Sequence, residues 1–120
     1  MIRILSILCF LITLAIILVA GMRSEAIPQV FEHQDWLHHA AAFVALVCSA
    51  RWAFPRTHAF WSLLYCLLLG LLIELFQGLL PHRTASVADM LANTTGVIIG
   101  IGIATLIKRK LALRRPANRW

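Results

Sequence analysis

Charge is what this chain of 120 residues has least of. Charged residues make up 13% of it, with only five Asp or Glu, where soluble domains carry about 25%. Apolar residues reach 61% and the mean hydropathy is +0.84. A small domain buries only about two thirds of the surface its unfolded chain exposes, so a soluble fold this size cannot hide so much apolar side chain. A soluble enzyme, a nucleic-acid-binding domain and a disordered tail are thereby excluded. The cysteines Cys9, Cys48 and Cys66 are odd in number and each lies in an apolar run. They read as small apolar fillers, not as disulfides or thiolate ligands. Two-residue alternation is missing as well, which excludes a transmembrane barrel. There is no His-Glu-x-x-His spacing and no recognisable nucleophile motif, so no metal or cofactor is expected and catalysis is left open.

What is present is four long apolar stretches, at residues 4–21, 36–54, 59–80 and 86–107. A membrane-crossing helix needs about 20 residues. The expectation is therefore an all-α protein, a transmembrane four-helix bundle forming one domain over 1–120, with a basic tail at 108–120. The first stretch has a longer apolar run than a cleaved signal peptide and only Arg3 before it, which favours a retained helix. Six of the eleven Lys and Arg fall in the last thirteen positions, and a basic run there reads as a topology anchor on anionic lipid rather than a nucleic-acid arm. With four spans, Arg3, Arg51, Arg56 and the basic tail share one face, and only Arg23 and Arg83 lie on the other. Positive charge stays cytoplasmic, so both termini are expected inside a multi-pass protein of the cytoplasmic membrane. Trp36 then marks the outer boundary, Trp52 and Trp61 the inner one, and Arg51 snorkels toward the inner water.

Ionisable groups inside the membrane cost about 2.5–3.5 kcal/mol each by insertion scales, so their placement is informative. His38 and His39 come early in the second stretch, Glu74 and Gln77 late in the third, and Asp89 and Asn93 early in the fourth. Successive helices alternate in direction, so early, late and early are one depth, roughly 5–10 Å below the outer boundary. Asp35 with His39, Glu74 with Gln77, and Asp89 with Asn93 are three or four apart, and each pair shares a helical face. Gly96, Gly100 and Ala104 continue the Asn93 face as a close-packing stripe. Ala41, Ala45 and Ser49 offer a similar stripe on the second span, and Gly70 and Gly78 flank Glu74. Arg83 is near enough in sequence to bridge Glu74 and Asp89, with His82 beside it at the rim. Interhelical glue would account for Gln77, Asn93 and Ser86 alone. Three carboxylates, an Arg and imidazoles in one layer point instead to a functional, outward-opening polar cluster.

These residues resemble the VanZ-like family of small bacterial membrane proteins. Asp35, His39 and Phe43 match its Asp-Lys-x-x-His-x-x-x-Phe element, with Trp36 where the family usually has Lys. Glu74 and Gln77 match Glu-x-x-Gln. Arg83, Ser86, Asp89, Asn93 and Gly96 match an Arg, a small polar residue and Asp-x-x-x-Asn-x-x-Gly. The resemblance covers about residues 35–100 and implies a bacterial integral membrane protein, with a link to resistance against the glycopeptide teicoplanin. Three functions are compatible with the cluster. One is a site for an anionic or amphiphilic envelope molecule such as a lipid-linked precursor, using Arg83 and its two-pronged donor geometry. Another is an enzyme on such a lipid, with His39 or Glu74 as general base. The third is a proton-coupled transporter subunit. The partners expected are membrane lipids and either further copies of the chain or another membrane protein.

Overall fold

The computed structural model describes residues 1–23, 28–81 and 83–115. They form four helices and, among the described residues, no strand: α1 (Ile2–Gly21), α2 (Gln34–Ala53), α3 (Ala59–Gln77) and α4 (Val87–Arg114). The expected all-α bundle is what is found. Three of the four, α1, α3 and α4, are long and apolar enough to cross a membrane. α2 is as long as α1, at 20 residues, but Gln34, Asp35, His38, His39 and Arg51 dilute its apolar character. Its position explains the difference. α2 packs against each of the other three helices, most extensively against α4, and buries Phe43, Leu46, Val47, Ala50 and Ala53. A central helix turns few positions toward lipid, so it needs apolar residues only where it meets its neighbours.

α1 is the opposite case. Only Ile17 and Gly21 are buried on it, while Ile4, Leu5, Leu11, Ile12, Ile16 and Val19 are exposed. An apolar surface this continuous is a liability in water and is what a hydrocarbon solvent accepts. α1 lies against α2, barely reaches α3 and does not touch α4.

The helix ends differ from the sequence expectations in instructive ways. α3 stops at Gln77, not at 80, because the chain turns at Gly78, whose N–H still donates to the Glu74 carbonyl. α4 begins after Ser86, whose hydroxyl accepts the Asp89 N–H at 3.2 Å and so caps the helix. α4 then runs 28 residues, roughly 42 Å at 1.5 Å each, past a hydrocarbon core of about 30 Å. Residues 108–114, expected as tail, are therefore helix; Lys, Arg, Leu and Ala are all good helix formers. Residues 116–120, with Arg119, lie outside the described residues.

One correction concerns packing. Gly96 and Gly100 form the expected seam: a Cβ on Gly96 would run into the Ala40 carbonyl, and one on Gly100 into the Val47 side chain. The facing stripe on α2 is thus Ala40, Val44 and Val47; Ala41 and Ala45 are exposed. By the helical period those two alanines point away from His39, and the side of α2 that holds His39 is the side that meets α4. Arg51 reaches toward the loop at the end of its helix. Its Nη1 donates to the Thr57 carbonyl and, at 3.4 Å, to Ser62 Oγ. The α2–α3 corner exposes a carbonyl that this cation satisfies, and Lys108 Nζ donates to the Arg51 carbonyl at 2.7 Å from the α4 side.

Candidate functional site

The polar site forms where the start of α2, the end of α3 and the start of α4 converge. His39, in the second turn of α2, meets Asn93 of α4, with Nδ1 2.9 Å from Asn93 Oδ1. The amide oxygen can only accept, so this contact is a hydrogen bond in the tautomer that carries its proton on Nδ1. The other ring nitrogen, Nε2, faces Asp89 Oδ2 at 3.8 Å, both side chains being more than four-fifths buried. Asp89 is in the first turn of α4, where the free peptide N–H groups favour a carboxylate.

Glu74 completes the arrangement from α3. It is 3% exposed, and its Oε2 accepts the Ser86 backbone N–H at 2.8 Å. Ser86 therefore serves two helices, its hydroxyl capping α4 and its amide holding the α3 carboxylate. Asn93 and Gln77 are equally buried. Gly70 leaves the room that Asn93 and Phe43 occupy, since a Cβ there would sit 3.3 Å from both. One donor atom each from His39, Glu74 and Asp89 lies within 4.8 Å of the others. An imidazole and two carboxylates so placed can share a proton or hold a cation, and they are poor at anything that requires them to stay apart.

A cavity of about 280 Å³ opens beside this cluster. Gln34, Asp35, His38, His39, Gln77, Arg83 and Asp89 give it a polar wall, and Ile17, Gly21, Ala42, Phe43 and Ile73 an apolar one. The eight residues singled out from the sequence thus divide. Asp35, His39, Gln77, Arg83 and Asp89 line the cavity, while Glu74, Ser86 and Asn93 do not; Asn93 meets His39, and Ser86 accepts the Asp89 N–H and donates its own to Glu74. Arg83 lines the cavity but makes no ion pair among the described residues. Its Nη1 donates to the Arg23 carbonyl at 3.1 Å, tying the α3–α4 loop to the end of α1. It forms no ion pair with Glu74 or Asp89, its head being held instead by the Arg23 carbonyl. His82 lies outside the described residues.

Sequence reasoning missed the α1 wall and Gln34. Gln34 is buried, its Oε1 accepts the Val30 N–H at 2.6 Å and its Nε2 lies 3.4 Å from His38 Nε2. The four-residue step from Gln34 to His38 could have flagged it; α1, apolar all round, offered no signal. A family model described as VanZ/LLP1 matches residues 6–108. No curated protein and no solved structure matches the chain.

Proposed function

The chain belongs to the VanZ/LLP1 family, and from that premise we propose that it captures an anionic, amphiphilic cell-envelope molecule, such as a lipid-linked precursor, at the outer end of its bundle. The observation that carries this reading is the two-sided cavity: Arg83, Gln77 and His38 on one wall, Ile17, Phe43 and Ile73 on the other. A volume of about 280 Å³ suits a headgroup and the first carbons of a tail, at the lower end of ordinary ligand pockets. It is too small for a glycopeptide antibiotic, so a link to teicoplanin resistance would run through the precursor and not through the drug. The orientation belongs to the same proposal: the Arg51–Lys108 end lies in the cytoplasm and the cavity opens outward in the bacterial inner membrane. A conduit gains no support, because beneath Asn93 the interior is filled by Phe43, Leu46, Val47 and Val97.

The test is binding of a fluorescent polyprenyl phosphate, against the uncharged polyprenol, to the protein in nanodiscs. The phosphate should bind in preference, and Arg83→Ala should weaken it by about tenfold or more, since a hydrogen bond to a charged group contributes about 1.5–3 kcal/mol. Equal binding of both lipids, indifferent to Arg83→Ala, would sink the proposal.

A further inference from the structure

We infer that His39, Glu74 and Asp89 form a site for one divalent transition-metal ion, Zn²⁺ by its ligand chemistry, with a coordination position left open toward the cavity. The site needs these three side chains and not Arg83, so it stands apart from the capture of an amphiphile. The absence of a metal-ligand spacing in the sequence does not bear on it, because each helix contributes a single ligand. An imidazole nitrogen with two carboxylates and a free fourth place is a set that Zn²⁺ accepts, whereas Mg²⁺ and Ca²⁺ favour oxygen throughout.

Four features of the geometry point to a cation. In the tautomer with its proton on Nδ1, His39 donates to Asn93 Oδ1 and turns its Nε2 lone pair to Asp89 Oδ2 at 3.8 Å, while Asn93 Nδ2 is buried without a partner among the described residues. A lone pair turned on a carboxylate is repulsive unless positive charge lies between them. Metal-bound histidines are held in this manner, their second nitrogen fixed by an outer acceptor. Glu74, 97% buried, has Oε2 occupied by the Ser86 amide while Oε1 has no partner among the described residues. Asp89 Oδ1 is likewise buried without a partner, so each carboxylate keeps one oxygen in reserve where water is scarce. The spacing fits with small rotamer adjustments: ligands at about 2.0–2.2 Å from a tetrahedral Zn²⁺ are about 3.4 Å apart, against donor atoms now within 4.8 Å. Finally, two carboxylates, a neutral imidazole and a doubly charged ion sum to zero, the one total a buried site tolerates well.

The experiment is metal binding by the full chain purified in detergent, stripped with a chelator and re-equilibrated with Zn²⁺, then with Co²⁺ as a spectroscopic substitute. The wild type should retain one ion per chain after gel filtration and show a Co²⁺ ligand-field band of nitrogen–oxygen type with no thiolate charge transfer. His39→Gln, Glu74→Gln and Asp89→Asn should each abolish stoichiometric retention, and Asn93→Leu should weaken it by about 10–100-fold through loss of the outer acceptor. Arg83→Ala should bind the ion as the wild type does, which separates this result from the lipid assay. His33→Ala should too, since the exposed His33–Glu32 pair is the obvious place for adventitious metal. Where one variant fails to elute as a folded protein, the remaining isosteric carboxamides decide. No retained ion in the wild type, or an ion that survives Glu74→Gln and Asp89→Asn but leaves with His33→Ala, would overturn the inference.

Discussion

Glu74 is the residue on which the buried hydrogen bonding turns. Its Oε2 satisfies the Ser86 N–H at 2.8 Å, and the Glu74 side chain itself is buried. Glu74→Gln keeps an acceptor there and removes a charge, so in metal-free protein its stability should stay within about 1 kcal/mol of wild type. Glu74→Ala strands the Ser86 amide and leaves a void, so it should cost about 2–4 kcal/mol. SDS-titrated unfolding in mixed micelles measures both, and equal losses for Gln and Ala would show that the acceptor is irrelevant. Asn93→Leu should cost about 1–3 kcal/mol in the same assay, since it leaves the His39 Nδ1–H without its partner. These residues were legible in the sequence because a carboxylate or amide inside an apolar run is conspicuous. The direction of Arg83 was not legible: which of several acceptors a surface guanidinium takes depends on where the neighbouring loop ends, and the Arg23 carbonyl is 60 residues away.

At the scale of the element, the α2–α4 seam sets the site. Ala40, next to His39, and Gly96, one turn beyond Asn93, hold the two helices at a separation that lets the imidazole reach the amide. Gly96→Ala puts a methyl against a backbone carbonyl that cannot rotate away, so the helices must part. The expected cost is about 1–3 kcal/mol, as for other overpacked sites, and Zn²⁺ retention should fall with it. Gly102 has nothing within 4 Å of an added Cβ, and Gly102→Ala should be neutral or stabilising by about 0.5–1 kcal/mol. Equal effects at the two glycines in unfolding measurements would deny the seam its role. The α4 half of this interface could be read in advance because glycines at four-residue steps have few other uses in a lipid-solvated helix. The α2 half could not, since alanine is as comfortable against lipid as against a helix, and Ala41 and Ala45 took the lipid side.

For the whole molecule, extents of 62 × 26 × 26 Å describe a narrow rod standing taller than a hydrocarbon core of about 30 Å. Part of the excess is at the basic end, where α4 carries Lys108, Arg109 and Lys110 beyond its apolar run. If that end is cytoplasmic, a fluorescent protein fused after residue 115 should fluoresce and an alkaline phosphatase fused there should stay inactive; the reverse pattern would invert the topology. The architecture was readable because lipid leaves the backbone no spanning choice but helices or closed barrels, and no alternation was present. The end of α4 was not, because hydropathy stops at Ile107 whereas backbone hydrogen bonding continues wherever side chains permit.

Ser86 ties these scales together. One residue starts α4 and, through its own amide, grips a carboxylate on α3, so the rotation of α4 is locked against α3 at that point. Adding or deleting a single amino acid between Ser86 and Asp89 would swing Asp89 and Asn93 by about 100° around the helix axis. His39 would then lose both Asp89 and Asn93 from the face it meets. This short tract should consequently tolerate changes of side chain far better than changes of length.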